Sequence, residues 1–124
     1  IEGDEVIHMI DEIPIFCIVA TQAKGISQIR DAEELKYKES NRLLAIYTNL
    51  SKMNAEIYES SDGLSIKGKK ILHNTSINHF NDHRIAMSFE ILSLLISGEM
   101  SNNYSEIINI SFPEFYQTFR EILK

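Results

Sequence analysis

At 124 residues and 14.2 kDa the chain is one domain at most, or a piece of one. Hydrophobic residues at 44% and charged residues at 24% exclude wholesale disorder. Twelve Lys and Arg against eighteen Asp and Glu leave a net charge of −6, which repels nucleic acid and anionic membrane surfaces, so an anionic ligand needs a local cluster of cations. The single cysteine, Cys17, excludes an internal disulfide and fits a reducing compartment.

The opening Ile1-Glu2-Gly3-Asp4-Glu5 is acidic where a signal peptide would be basic. The longest apolar run, Ile13 to Ala20, is too short to span a bilayer. With Pro14 at its start and Gly25 just past its end, that run predicts a helix, buried all round. Ile26 to Ile29 alternates as a short strand. From about Glu39 to Met53, Leu43, Ile46, Tyr47, Leu50 and Met53 recur at helical spacing. Ala55–Ser60 and Leu64–Lys67, joined through Asp62-Gly63, predict a hairpin. A polar stretch from His73 to Asn81 leads into a third helix over about Asp82–Ser97. Ile107–Ile110 suggests a strand and Pro113–Leu123 a closing helix. Helix then strand, three times over, indicates α and β elements packed in layers and hints at degenerate repeats.

Two stretches oppose local physics. Lys38-Glu39-Ser40-Asn41-Arg42 and Asn81-Asp82-His83-Arg84 place cations at predicted helix starts, where the helix dipole disfavours them by about 0.3–1 kcal/mol. An anion in front of both starts would make the arrangement favourable, since guanidinium and free backbone N–H groups bind it together. Lone first-turn cations are common on solvated surfaces, and two are only suggestive. Asp11 has the residue type and place of a helix cap. Glu39 falls near the apolar edge of its stripe, where burial would raise its pKa and suit it to proton donation; a first-turn glutamate held by the dipole is the simpler reading. His79 and His83 flank Asp82, but a cap at Asn81 or Asp82 leaves His79 outside the helix, and no third ligand follows at zinc spacing. Cys17 has apolar neighbours and no adjacent base, so it is expected to be buried and inert.

Asp11-Glu12-Ile13-Pro14, Ile29-Arg30-Asp31-Ala32-Glu33-Glu34-Leu35 running into Lys38–Arg42, Asp82-His83-Arg84-Ile85-Ala86-Met87 and Ser111-Phe112-Pro113 occur in that order over nearly the whole chain. Together they resemble the C-terminal part of the EPSP synthase (3-phosphoshikimate 1-carboxyvinyltransferase) family. The resemblance implies an α/β (α+β) fold, one partial domain over residues 1–124 of a two-domain enzyme built from βαβαββ repeats, with buried helices packed on sheets. Members are much longer, and the chain does not begin with Met. The activity implied is transfer of the enolpyruvyl group of phosphoenolpyruvate to the 5-hydroxyl of shikimate 3-phosphate, releasing phosphate, in aromatic amino-acid and chorismate biosynthesis.

By motif, Asp11 would contact shikimate hydroxyls and accept a proton, and Glu39 would protonate the enolpyruvyl methylene. Lys38 would bridge the substrates, and Arg42 and Arg84 would clamp phosphoenolpyruvate with His83 beside them. No cofactor or metal is implied, the partners being the two substrates and the missing domain, with neither nucleic acid nor membrane. The location implied is cytoplasmic, or the plastid stroma of a plant, and the chain alone should be inactive. Asn41 stands where the family usually has Asp, and Ile110 where some members place a phosphate-binding Lys. A UDP-sugar enolpyruvyl transferase of the same fold and a noncatalytic anion-binding module are the alternatives.

Overall fold

The computed structural model describes residues 1–101 and 104–122. In chain order the elements are α1 (Asp4–His8), α2 (Ile13–Gln22), β1 (Ile26–Ile29), a 3-10 helix (Glu33–Tyr37), α3 (Arg42–Lys52), β2 (Glu56–Glu59), β3 (Leu64–Lys67), α4 (His83–Ser97), α5 (Ser105–Ser111) and α6 (Phe115–Ile122). The three strands form one antiparallel sheet in the order β1-β3-β2, with Ile29 opposite Leu64 and Ile57 opposite Ile66. Alternation does the rest: Ile29, Ile57, Leu64 and Ile66 face the core, while Ile26, Tyr58 and Lys67 face out.

Helices α2 and α3 pack on the inner face of that sheet, and α4 packs against those two helices. Cys17 and Ile18 of α2, Ile46 and Leu50 of α3, and Ile85, Phe89 and Leu92 of α4 share one apolar cluster with the inward strand residues. Pro14 sits in the first turn of α2, where its missing N–H has no partner to lose. Val19 is 57% exposed, so α2 is buried on most of its circumference and not all round. Gly98 ends α4 in the left-handed conformation (φ 80°), its N–H bonded to the Leu94 carbonyl. Gly68, just past β3, lies so close to the end of α2 that a Cβ there would meet the Ala23 carbonyl oxygen at 1.7 Å. The sheet and α2 can approach this closely only over a glycine.

Three expectations are corrected. Helix α3 begins at Arg42 rather than Glu39, because the Asn41 side chain accepts the Leu44 N–H at 3.1 Å and sets the start there. Glu39 therefore lies ahead of the helix. Ile107–Ile110 is not a strand but part of α5, which packs Ile108 against Ala86 and Phe115. A helix satisfies its own backbone, whereas a strand needs a neighbouring edge. Consequently the third helix-plus-strand block has no strand among the described residues. The closing helix is found as α6, with Leu123 outside the described residues.

Candidate functional site

The starts of α2, α3 and α4 meet at one corner of the molecule, and Arg42 is the group on which they converge. Its side chain is 1% exposed although it carries a full charge. Nε donates to Asp82 Oδ2 at 2.8 Å, Nη2 reaches Asp82 Oδ1 at 3.4 Å, and Nη1 donates to Asp11 Oδ1 at 3.0 Å. Nη2 also donates to Glu39 Oε2. The planar fork suits this arrangement, since it can give parallel bonds to one carboxylate and still serve others. Burial works to lower the Arg42 pKa, but the bonds and charges of Asp82, Asp11 and Glu39 outweigh it and raise it.

Asp82 is completely buried and holds two helices at once. Its Oδ1 accepts the Arg84 N–H at 3.0 Å and the Ile85 N–H at 3.5 Å, capping α4. Its Oδ2 accepts both Arg42 Nε and the Ser40 hydroxyl, the latter at 2.8 Å. Burial pushes the Asp82 carboxyl up, yet the bonds from Arg42 and Ser40 prevail and keep it below its ordinary value.

Asp11 precedes α2 but does not cap it. Glu12 occupies the cap position without a side-chain bond, and Asp11 turns to Arg42 instead. The Arg42 bond holds the Asp11 carboxyl below the usual range against partial burial, helped by the charges of Arg84 and Lys38. Arg84 Nη2 stands 4.0 Å from Asp11 Oδ2, and both side chains are about two-fifths exposed, at 39% and 42%. Glu39 is 52% exposed, so the burial considered for it does not occur. His83 heads α4 beside Arg84, partly buried. An apolar groove of about 320 Å³, with Ile15, Met87, Ile91 and Phe112 in its walls, opens beside Asp11 and Arg84.

Most of the sequence-predicted site residues therefore come together. Lys38, Arg42 and Arg84 stand against Asp11, Glu39 and Asp82 in a cluster of balanced charge. The cations at the helix starts are explained by the protein's own carboxylates. The Asn41 side chain caps α3, a task that Asn performs as well as Asp. The Ile110 and Ser111 side chains lie outside the described residues. His79 stays outside α4, with its Nδ1 accepting the Asn81 N–H. Sequence reasoning gave Asp82 only a capping role and missed Ser40, since partners 40 and 42 residues apart leave no local signal.

The model of the family described as EPSP synthase (3-phosphoshikimate 1-carboxyvinyltransferase) matches residues 2–119. The chain belongs to this family. A 3-phosphoshikimate 1-carboxyvinyltransferase of Alkaliphilus oremlandii is 48% identical over 124 residues, covering 100% of this chain and 29% of the relative. One from Thermoanaerobacter sp. is 45% identical over 119 residues, covering 96% of this chain and 28% of the relative. Among solved structures, EPSP synthase from Acinetobacter baumannii superposes with a TM-score of 0.81 at 33% identity, covering 92% of this chain and 27% of that one. The chain thus spans somewhat more than a quarter of the length of these EPSP synthases. The fold is the mixed α/β architecture of that family, and no helix among the described residues is long and apolar enough to cross a membrane.

Proposed function

We propose that this chain is the C-terminal portion of a two-domain EPSP synthase and supplies part of the cleft that transfers the enolpyruvyl group of phosphoenolpyruvate to the 5-hydroxyl of shikimate 3-phosphate. The supporting observation is the meeting of Asp11, Glu39, Arg42 and Arg84 at one corner, where three helices start. In this reading Asp11 accepts the hydroxyl proton as the oxygen bonds to C2 of phosphoenolpyruvate, and Glu39 protonates the methylene carbon. Collapse of the tetrahedral adduct then expels phosphate as that carbon gives a proton back. Two carboxylates in different surroundings can divide such duties.

Arg84 and Lys38 carry the first contact with the anion. Arg42 is already engaged, and reaches the ligand by exchanging the exposed Glu39 for it, which frees Glu39 for proton transfer. His83 lies beside Arg84 and lines the same approach. Fixed cations of this kind stabilise charge as it develops on the adduct.

The test is Asp11→Asn in the complete enzyme. The kcat should fall by about 10²–10⁴, the usual contribution of a positioned acid or base, while folding is retained. Full activity in that variant overturns the assignment. The isolated 124 residues should show no turnover, since the reaction is expected to need both domains closed around the substrates.

A further inference from the structure

The turn that delivers Asp82 and Arg84 is under backbone strain. Phe80 (φ 54°) and Asn81 (φ 57°) are consecutive and both left-handed, a conformation that residues with a Cβ resist and that persists only where the surroundings over-determine it. Bonds inside the turn hold its shape. The Phe80 N–H donates to Asn78 Oδ1, the Asn81 N–H to His79 Nδ1 and the Asp82 N–H to the His79 carbonyl, each at 2.9 Å.

What ties this turn to the scaffold is Asn49 of α3, whose side chain is completely buried. Its Nδ2 donates to the Asn78 carbonyl at 2.6 Å and its Oδ1 accepts the Asn78 N–H at 2.9 Å. The amide is matched at both ends, so only one orientation of it serves. Asn49 follows Arg42 by seven residues, two helical turns, which puts both on one face of α3 about 10 Å apart along its axis. Helix α3 therefore grips this region twice, at Asn78 through Asn49 and at Asp82 through Arg42, with the strained pair between the two grips.

The geometry points to Asn49 as a positioning residue: through the Asn78 backbone it holds the strained turn that sets Asp82 and Arg84 against Asp11 and Arg42. That an anion binds there rests on the function proposed above.

The experiment is amide exchange and NMR on the complete enzyme, with inorganic phosphate as the probe. In Asn49→Ala the fold should persist by circular dichroism. Amide exchange at residues 78–84 should accelerate by about tenfold or more, as expected when a local opening is eased. The Arg84 Nε resonance should move and phosphate affinity should fall. A role in stability alone would lower the melting temperature and leave the Arg84 resonance of the folded protein in place. Unchanged exchange and an unmoved Arg84 resonance overturn the proposal. Should Asn49→Ala fail to fold, Asn49→Asp decides by the same two criteria, because it keeps the shape and the acceptor and sets a carboxylate oxygen against the Asn78 carbonyl in place of the donor. A wild-type enzyme that ignores phosphate would count against the proposed function alone, since exchange and the Nε resonance report on the clamp without any ligand.

Discussion

Replacing Asp82 with Ala removes the acceptor shared by Arg42, Ser40 and the first turn of α4. Arg42 would stay buried with Asp11 and Glu39 as its remaining counter-charges, both of them partly exposed. Breaking a buried pair by deleting one partner costs about 3–5 kcal/mol, and those two carboxylates place this case toward the lower end. Loss of the α4 cap adds about 1 kcal/mol, although effects this close together need not sum. A total of about 4 kcal/mol is a large part of the roughly 5–15 kcal/mol that holds a domain folded. Asp82→Asn keeps the capping oxygen and the shape, and should lose less. Urea unfolding followed by circular dichroism measures both, with an unchanged slope showing that stability alone has moved. A double-mutant cycle with Arg42→Met isolates the pair. If Asp82→Ala unfolds within about 0.5 kcal/mol of wild type, as an ordinary surface substitution would, the Arg42 network does not organise this corner.

Acid should act through the same groups. Asp11 and Asp82 are both held below the ordinary carboxylate range in the fold, so the stability they confer is present above the unfolded value of about 3.9 and is lost as pH falls through their folded pKa values. Urea midpoints should therefore be insensitive to these groups near neutrality and drop on the acid side, with a shallower drop in Asp82→Asn; an equally steep drop in that variant refutes the assignment. Cys17 is fully buried and burial pushes its thiol pKa up, so a thiol reagent should label it only as fast as the protein opens. Rapid stoichiometric labelling in native buffer would contradict that. Gly68→Ala forces a Cβ onto the Ala23 and Ala20 carbonyl oxygens and should cost about 3 kcal/mol or more, the upper end for overpacking; a wild-type urea midpoint would show that α2 can move aside.

The elements with local punctuation were legible in the sequence. Pro14 and Gly25 bracket α2, alternation marks β1, Asp62-Gly63 marks the hairpin, and Asp82 marks the start of α4. The start of α3 was misplaced because two apparent first-turn charges drew the helix forward, whereas the Asn41 cap decides it. Ile107–Ile110 is short, apolar and β-branched, a pattern that periodicity assigns to strand or buried helix equally well. The short α1 and the 3-10 helix had no apolar repeat to announce them. At the candidate site, the motifs single out Asp11, Lys38, Glu39, Arg42, His83 and Arg84, and bonds or ion pairs join Asp11, Glu39, Arg42 and Arg84 in the fold. The neutralisation of Arg42 by Asp82 is a long-range contact, and no spacing rule reveals such a pairing.

The shell of acidic groups around Arg42 also bears on how quickly an anion can arrive. A phosphorylated molecule nearing this corner meets the partly exposed Arg84 and Lys38 together with Asp11 and Glu39, so attraction and repulsion nearly cancel outside the contact itself. Steering is thereby muted: added salt should leave the encounter rate nearly unchanged while it weakens the contacts finally made.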